Sequence, residues 1–155
     1  MHIGIPKETR DGETRVAATP ETVKKYIGGK HTVVVERGAG TAARYLDDAY
    51  EAAGATLGSA QDALGAELVM KVRAPSAAEL PHMKPGTVVV GMLDPFDAEG
   101  LEQMAGAGLV GFALEAAPRI TRAQSLDVLS SQANLAGYKA CLLYTSPSPR
   151  DVEES

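Results

Sequence analysis

The chain has 155 residues, a formal net charge of −5 and one cysteine, Cys141. Its 45% hydrophobic and 23% charged content suits a single domain with a buried core and is too apolar for a disordered chain. The acidic balance argues against a nucleic-acid partner, which needs clustered Lys and Arg, and one cysteine allows neither an internal disulfide nor a thiolate zinc site.

From the amino terminus, Met1 to Arg10 lacks the pattern of a signal peptide, and His2 to Pro6 is predicted as a strand. A helix follows near Pro20 to Gly28, with Thr19 as cap, Pro20 in the first position and Glu21 near the positive end of the dipole. Thr32 to Glu36, with Val33, Val34 and Val35, is the second strand. Asp47 to Ala53 is a helix, Ala55 to Leu57 a short extended piece, Gln61 to Leu64 a helix and Glu67 to Val72 a strand.

Ser76 and Glu79 have capping-box spacing, which predicts a short helix near Ala77 to Met83 before the Pro85-Gly86 turn and the strand Thr87 to Met92. Asp97 to Ala107 is helical by its apolar spacing, and Leu109 to Leu114 is a strand. About five strands therefore alternate with helices. Uniformly apolar strands such as Val88-Val89-Val90 imply helices on both faces, so the expected fold is α/β: a flavodoxin-like, doubly wound parallel sheet in an α/β/α sandwich. After Arg119 the pattern changes to two helices, Thr121 to Leu129 and Ser131 to Ala140. The end, Tyr144 to Ser155, offers no apolar face and is expected to be disordered. No run approaches the roughly 20 apolar residues that cross a bilayer, so direct membrane insertion is not expected, and the single cysteine fits a reducing, cytoplasmic setting.

The residues suggest chemistry at three places. Gly38-Ala39-Gly40 follows a strand but lacks the third glycine of a dinucleotide fingerprint, and reads as a tight turn. Arg15 and Lys71 stand where a doubly wound sheet presents ligands; they read either as a cradle for a carboxylate or phosphate or as cations solvated at the sheet rim. In PRITRAQSLDVLSS, a helix from Arg122 would set Gln124, Asp127 and Ser130 on one face. The same residues also read as a Thr121–Gln124 capping box with Asp127 exposed and Ser130 or Ser131 capping the next helix. His2, His31 and His82 have no metal-ligand spacing, and no metal is expected.

Four stretches, IGIPKETRDGETRVAATPETV, ERGAGTAARYLDDAYEAAGA, VMKVRAP and PRITRAQSLDVLSSQANLAGYKA, resemble the alanine dehydrogenase and transhydrogenase alpha-subunit family. The last resembles its transhydrogenase branch in particular. That resemblance implies the NAD(H)-binding portion of a proton-translocating NAD(P) transhydrogenase, in which hydride passes between NAD(H) and NADP(H). It places Arg119, Gln124, Asp127 and Ser130 by the nicotinamide and its ribose. It also implies NADP(H) on a partner subunit, a membrane subunit to which this portion docks peripherally at the inner membrane, and a homodimer of the soluble portion.

The other branch, alanine dehydrogenase, uses a strand-end Arg and Lys for its substrate and a catalytic His. Arg15 and Lys71 match the pair, but Asp94 stands where the His is expected. A binding or assembly module without catalysis is the reading from a different class. On the resemblance, residues 1–140 are an incomplete N-terminal domain of the family and 141–155 a tail foreign to it. The family's Rossmann domain is absent, so this chain alone is expected to be inactive.

Overall fold

A computed structural model describes residues 1–118, 120, 121, 123 and 127–145. Six strands form one sheet: β1 (His2–Ile5), β2 (Thr32–Glu36), β3 (Thr56–Gly58), β4 (Leu68–Arg73), β5 (Val88–Met92) and β6 (Val110–Ala113). Helices α1 (Pro20–Gly28), α2 (Asp47–Ala52), α3 (Ala60–Leu64) and α4 (Ala98–Gly106) join them, except between β4 and β5, where a 3-10 turn at Leu80–His82 makes the connection. All pairings are parallel, in the order β3-β2-β1-β4-β5-β6.

The doubly wound α/β class read from the sequence holds. Within it, the winding reverses between β1 and β4, with three strands on either side, and the short piece predicted before the third helix is the edge strand β3. Register puts the two cores on opposite faces, because Ile3 pairs with Leu68 and Gly4 with Val69. Ile3, Ile5, Val33 and Val35 pack with Val23 and Tyr50 on one face. Val69 and Val89 pack with Leu64, Met83 and Met104 on the other. Right-handed crossovers require this division, since reversing the direction of winding sends the connections to the opposite face.

The local signals act as expected at most boundaries. Thr19 accepts the Thr22 N–H at the start of α1, and Ser59 and Asp62 make a reciprocal capping box at α3. Glycine is required where α3 lies on β1, because a Cβ at Gly4 would overlap the carbonyl of Ala63.

Two predicted elements are corrected. Ala77 to Met83 is not a helix but the 3-10 turn at Leu80–His82, with Pro81 inside it. From Ala117 onward the chain is a separate compact unit. There one helix α5 runs from Val128 to Thr145, so that Val128 and Leu129 are continuous with the predicted helix Ser131 to Ala140, and it passes through Ala140 and Cys141 without a break; residues 122 and 124–126 of the other predicted helix, Thr121 to Leu129, lie outside the described residues. Tyr144 and Thr145, expected in a disordered tail, belong to it; residues 146–155 lie outside the described residues.

Candidate functional site

Open parallel sheets offer ligands a crevice at the carboxyl ends of their strands, where the winding reverses. Here that place lies between the ends of β1 and β4. Just after β1, the buried Glu8 turns back onto β4: Oε1 accepts the Val72 N–H at 2.6 Å and Oε2 the Arg73 N–H at 3.3 Å. The β4–β5 register shifts between Met70 and Arg73. Gly91 lies against that irregularity, where a Cβ would overlap the Lys71 carbonyl.

Lys71 is fully enclosed, with its side chain 1% exposed. Its Nζ donates to Glu79 Oε1 at 2.6 Å and stands 3.8 Å from Glu8 Oε2. The second oxygen of Glu79 accepts the Ser76 N–H and hydroxyl at 2.7 and 2.9 Å. An ammonium in this position needs such partners, because an unpaired buried charge is strongly unfavourable. Burial pushes the Glu8 carboxyl up, against the lowering influence of Lys71 and the two backbone N–H groups.

Arg15 clasps Glu13 with Nε and Nη2 at 2.7 and 2.6 Å, and Arg73 Nε adds a bond to the same carboxylate at 3.2 Å. The Arg15 hydrogen bond is the main cause that holds Glu13 down at about 2 and raises Arg15 itself. Three cations and three carboxylates thus meet at one end of the sheet. The two cations singled out from the sequence are there, each held by carboxylates of the chain. Glu8, Glu13 and Glu79 were missed as their partners, although an apolar strand ending in Lys is itself a signal that a buried acid must be near.

The Gly38 turn is structural. Its φ is +74°, its N–H donates to Asp47 Oδ1 at 2.8 Å, and a Cβ at Gly40 would crowd Tyr45 and Tyr50. Asp94, after β5, has a φ of +52°, and its N–H donates to Glu115 Oε1 at 2.7 Å. Among the described residues no group of three His, Cys, Asp or Glu is placed to hold a metal, and no helix is long and apolar enough to cross a membrane.

In the second unit, Asp127 stands at the start of α5 and accepts the Ser130 N–H at 3.0 Å; the Ser130 hydroxyl donates to its other oxygen at 2.6 Å. The structure therefore brings these two together, and the residue that caps α5 is Asp127 itself. Arg119 and Gln124 lie outside the described residues. The two side chains present acceptors. Asp127 is an acceptor for a hydroxyl or amide hydrogen, and the exposed Ser130 has its proton committed to Asp127 and keeps acceptor lone pairs.

The parallel sheet and the charged crevice where its winding reverses define a doubly wound α/β domain. Residues 4–136 match the family described as alanine dehydrogenase/PNT, N-terminal domain, and the chain belongs to that family. It is 45% identical over 150 residues to an NAD(P) transhydrogenase subunit alpha polypeptide of Rhodospirillum rubrum, covering 92% of this chain and 39% of that one. Alanine dehydrogenase 1 of Staphylococcus aureus is 32% identical over 144 residues, covering 92% and 38%. The crystal structure of transhydrogenase from Sinorhizobium meliloti superposes with a TM-score of 0.88 at 51% identity, covering 92% of this chain and 43% of that one. An L-alanine dehydrogenase superposes at 0.72 with 37% identity, covering 74% and 32%. The chain thus spans about two fifths of the length of the transhydrogenase relatives.

Proposed function

We propose that this chain belongs to the NAD(H)-binding side of a proton-translocating NAD(P) transhydrogenase, which moves hydride between NAD(H) and NADP(H) when assembled with an NADP-binding and a membrane subunit. The observation that carries this reading is the difference in likeness between the two branches: 45% and 51% identity to transhydrogenases against 32% and 37% to alanine dehydrogenases. Asp94 supports it, because a carboxylate cannot take the neutral-imidazole role that the alanine dehydrogenase branch is expected to need.

NAD(H), when bound, supplies the nicotinamide ring that gives or accepts hydride. Asp127 and Ser130, with Arg119 and Gln124, orient the polar edge of the nucleotide and help to exclude water. No acid or base is asked of them, since a direct transfer between rings needs alignment rather than proton movement. Residues 1–155 contain no complete glycine fingerprint for a pyrophosphate, so most of the nucleotide's affinity should come from outside them. We further propose a homodimer of the soluble portion, attached peripherally at the cytoplasmic side of the inner membrane through its partner subunits, with residues 119–130 facing the partner.

The test is hydride transfer by the full-length protein in the assembled complex, with NADPH deuterated at the transferred position. Deuterium should appear in NADH, and alanine should support no NADH formation. Arg119→Ala or Asp127→Asn should lower that transfer by about tenfold or more while changing NADH affinity far less. Alanine-dependent NADH formation without transfer from NADPH would replace this reading with the dehydrogenase one.

A further inference from the structure

The carboxyl ends of β5 and β6 carry charge of one sign. Between Lys84 and Arg119 the sequence has no Lys, Arg or His, while it holds Asp94, Asp97, Glu99, Glu102 and Glu115. Asp94, Asp97 and Glu99 are exposed around the turn that leads from β5 into α4, and none of these acids makes an ion pair among the described residues. Glu115 gives one oxygen to the Asp94 N–H and keeps the other buried, where neither a donor nor water meets it.

In the middle of this acidic turn Phe96 holds its ring out, 95% exposed. A single exposed apolar side chain is ordinary on a protein surface. This one sits on backbone that is held on both sides. The Asp97 N–H donates to the Asp94 carbonyl at 3.0 Å and closes the turn, within which Pro95 has its φ fixed by its ring. The Asp94 N–H ties the turn to Glu115, and Asp97 Oδ1 accepts the Gly100 N–H at 3.1 Å where α4 begins. A ring presented on such a turn loses little freedom when it is covered, as an anchor of an interface requires. The turn also lies at the end of the sheet where open parallel sheets present ligands, so a subunit that exchanges hydride with a nucleotide held there has to approach this end.

We propose that the Asp94–Asp97 turn is a docking knob for the NADP-binding subunit: Phe96 enters an apolar pocket on that subunit, and Lys or Arg side chains around the pocket meet the exposed carboxylates. This inference rests on the transhydrogenase reading. Opposite charge steers the two surfaces together, and the covered ring holds them.

Calorimetric titration of the full-length protein, loaded with NADH, by the purified NADP-binding subunit tests it. Phe96→Ser should weaken that binding by about 30-fold, as loss of a buried aromatic anchor does. Its NADH affinity and unfolding midpoint should stay at the wild-type values, because the ring supports nothing within the chain. Glu99→Lys should weaken binding about fivefold in roughly 50 mM salt and about twofold or less in roughly 0.5 M salt. Wild-type binding with Phe96→Ser undiminished overturns the proposal. A fall of several degrees in the midpoint of that variant then assigns the ring to the rest of its own polypeptide, and a loss of attachment to the membrane subunit assigns it there. A wild type that neither binds the NADP-binding subunit nor exchanges hydride with it removes the transhydrogenase reading, and the proposal with it.

Discussion

The crevice at the ends of β1 and β4 and the turn that starts α5 are both polar, yet they use their polar groups differently. In the crevice, Lys71 and Glu8 are buried, and their hydrogen bonds join residues far apart in sequence: Glu8 to Val72 and Arg73, and Glu13 to Arg73. At the turn, Asp127 and Ser130 bond to each other three residues apart, and Ser130 is exposed. Long-range buried bonds hold elements of the fold in register. Local bonds at an exposed helix start leave the neighbouring groups in reach of a ligand. The first region serves stability, and the second is the one we propose for recognition.

Removing Lys71 should give the largest effect. Lys71→Met leaves Glu79 and Glu8 buried without their cation and should cost about 3–5 kcal/mol in denaturant unfolding. Asp127→Ala, which removes only a helix cap, should cost about 1 kcal/mol. Similar losses at the two positions would erase the distinction drawn between them.

Acid should produce a smaller and graded effect on the crevice. The folded state holds Glu13 at about 2 instead of the ordinary 4.5, so the unfolded chain takes up its proton first as pH falls. The stability contributed by the Arg15–Glu13–Arg73 cluster is then complete above 4.5 and is lost as pH falls towards 2. Glu8 opposes this trend, because its raised value favours the protonated folded form and its contribution is lost as pH rises through that value. Glu13→Gln should therefore flatten the fall in melting temperature between pH 4.5 and pH 2 relative to the wild type. An unchanged slope in that window would mean that Glu13 is not held as the structure has it.

Much of the fold is legible in local signals. The runs Val33 to Val35 and Val88 to Val90 between turn residues mark strands, and the Thr19-Pro20-Glu21 start marks α1. Strand order is not legible in the same way. The pairing of β1 with β4 depends on the crossover through α3, and its closest contact is between Gly4 and the Ala63 backbone. The same limit explains the site. Lys71 is readable as a cation ending an apolar strand, but its partners Glu8 and Glu79 come from either side of that strand and meet it only in the fold. The Ser76–Glu79 spacing looks like a helix cap, and Glu79 does accept the Ser76 N–H as in a capping box, but its other oxygen serves Lys71, which the spacing does not show. Asp127 and Ser130 were recognisable as a pair from their spacing. Their place at the start of one long helix was not, because polar residues that cap a helix and polar residues that line its face share the same interval.

The most direct test of the division between the two regions is a titration of the isotopically labelled 155-residue chain with NADH, followed by backbone amide chemical shifts. A few hydrogen bonds worth about 0.5–1.5 kcal/mol each cannot by themselves offset an association cost of roughly 4–15 kcal/mol, so binding should be about millimolar or weaker. The account predicts weak shifts confined to residues 119–130, with the amides of Glu8, Lys71, Val72 and Arg73 unmoved. Micromolar binding, or shifts centred on the Glu8–Lys71 crevice, would contradict it.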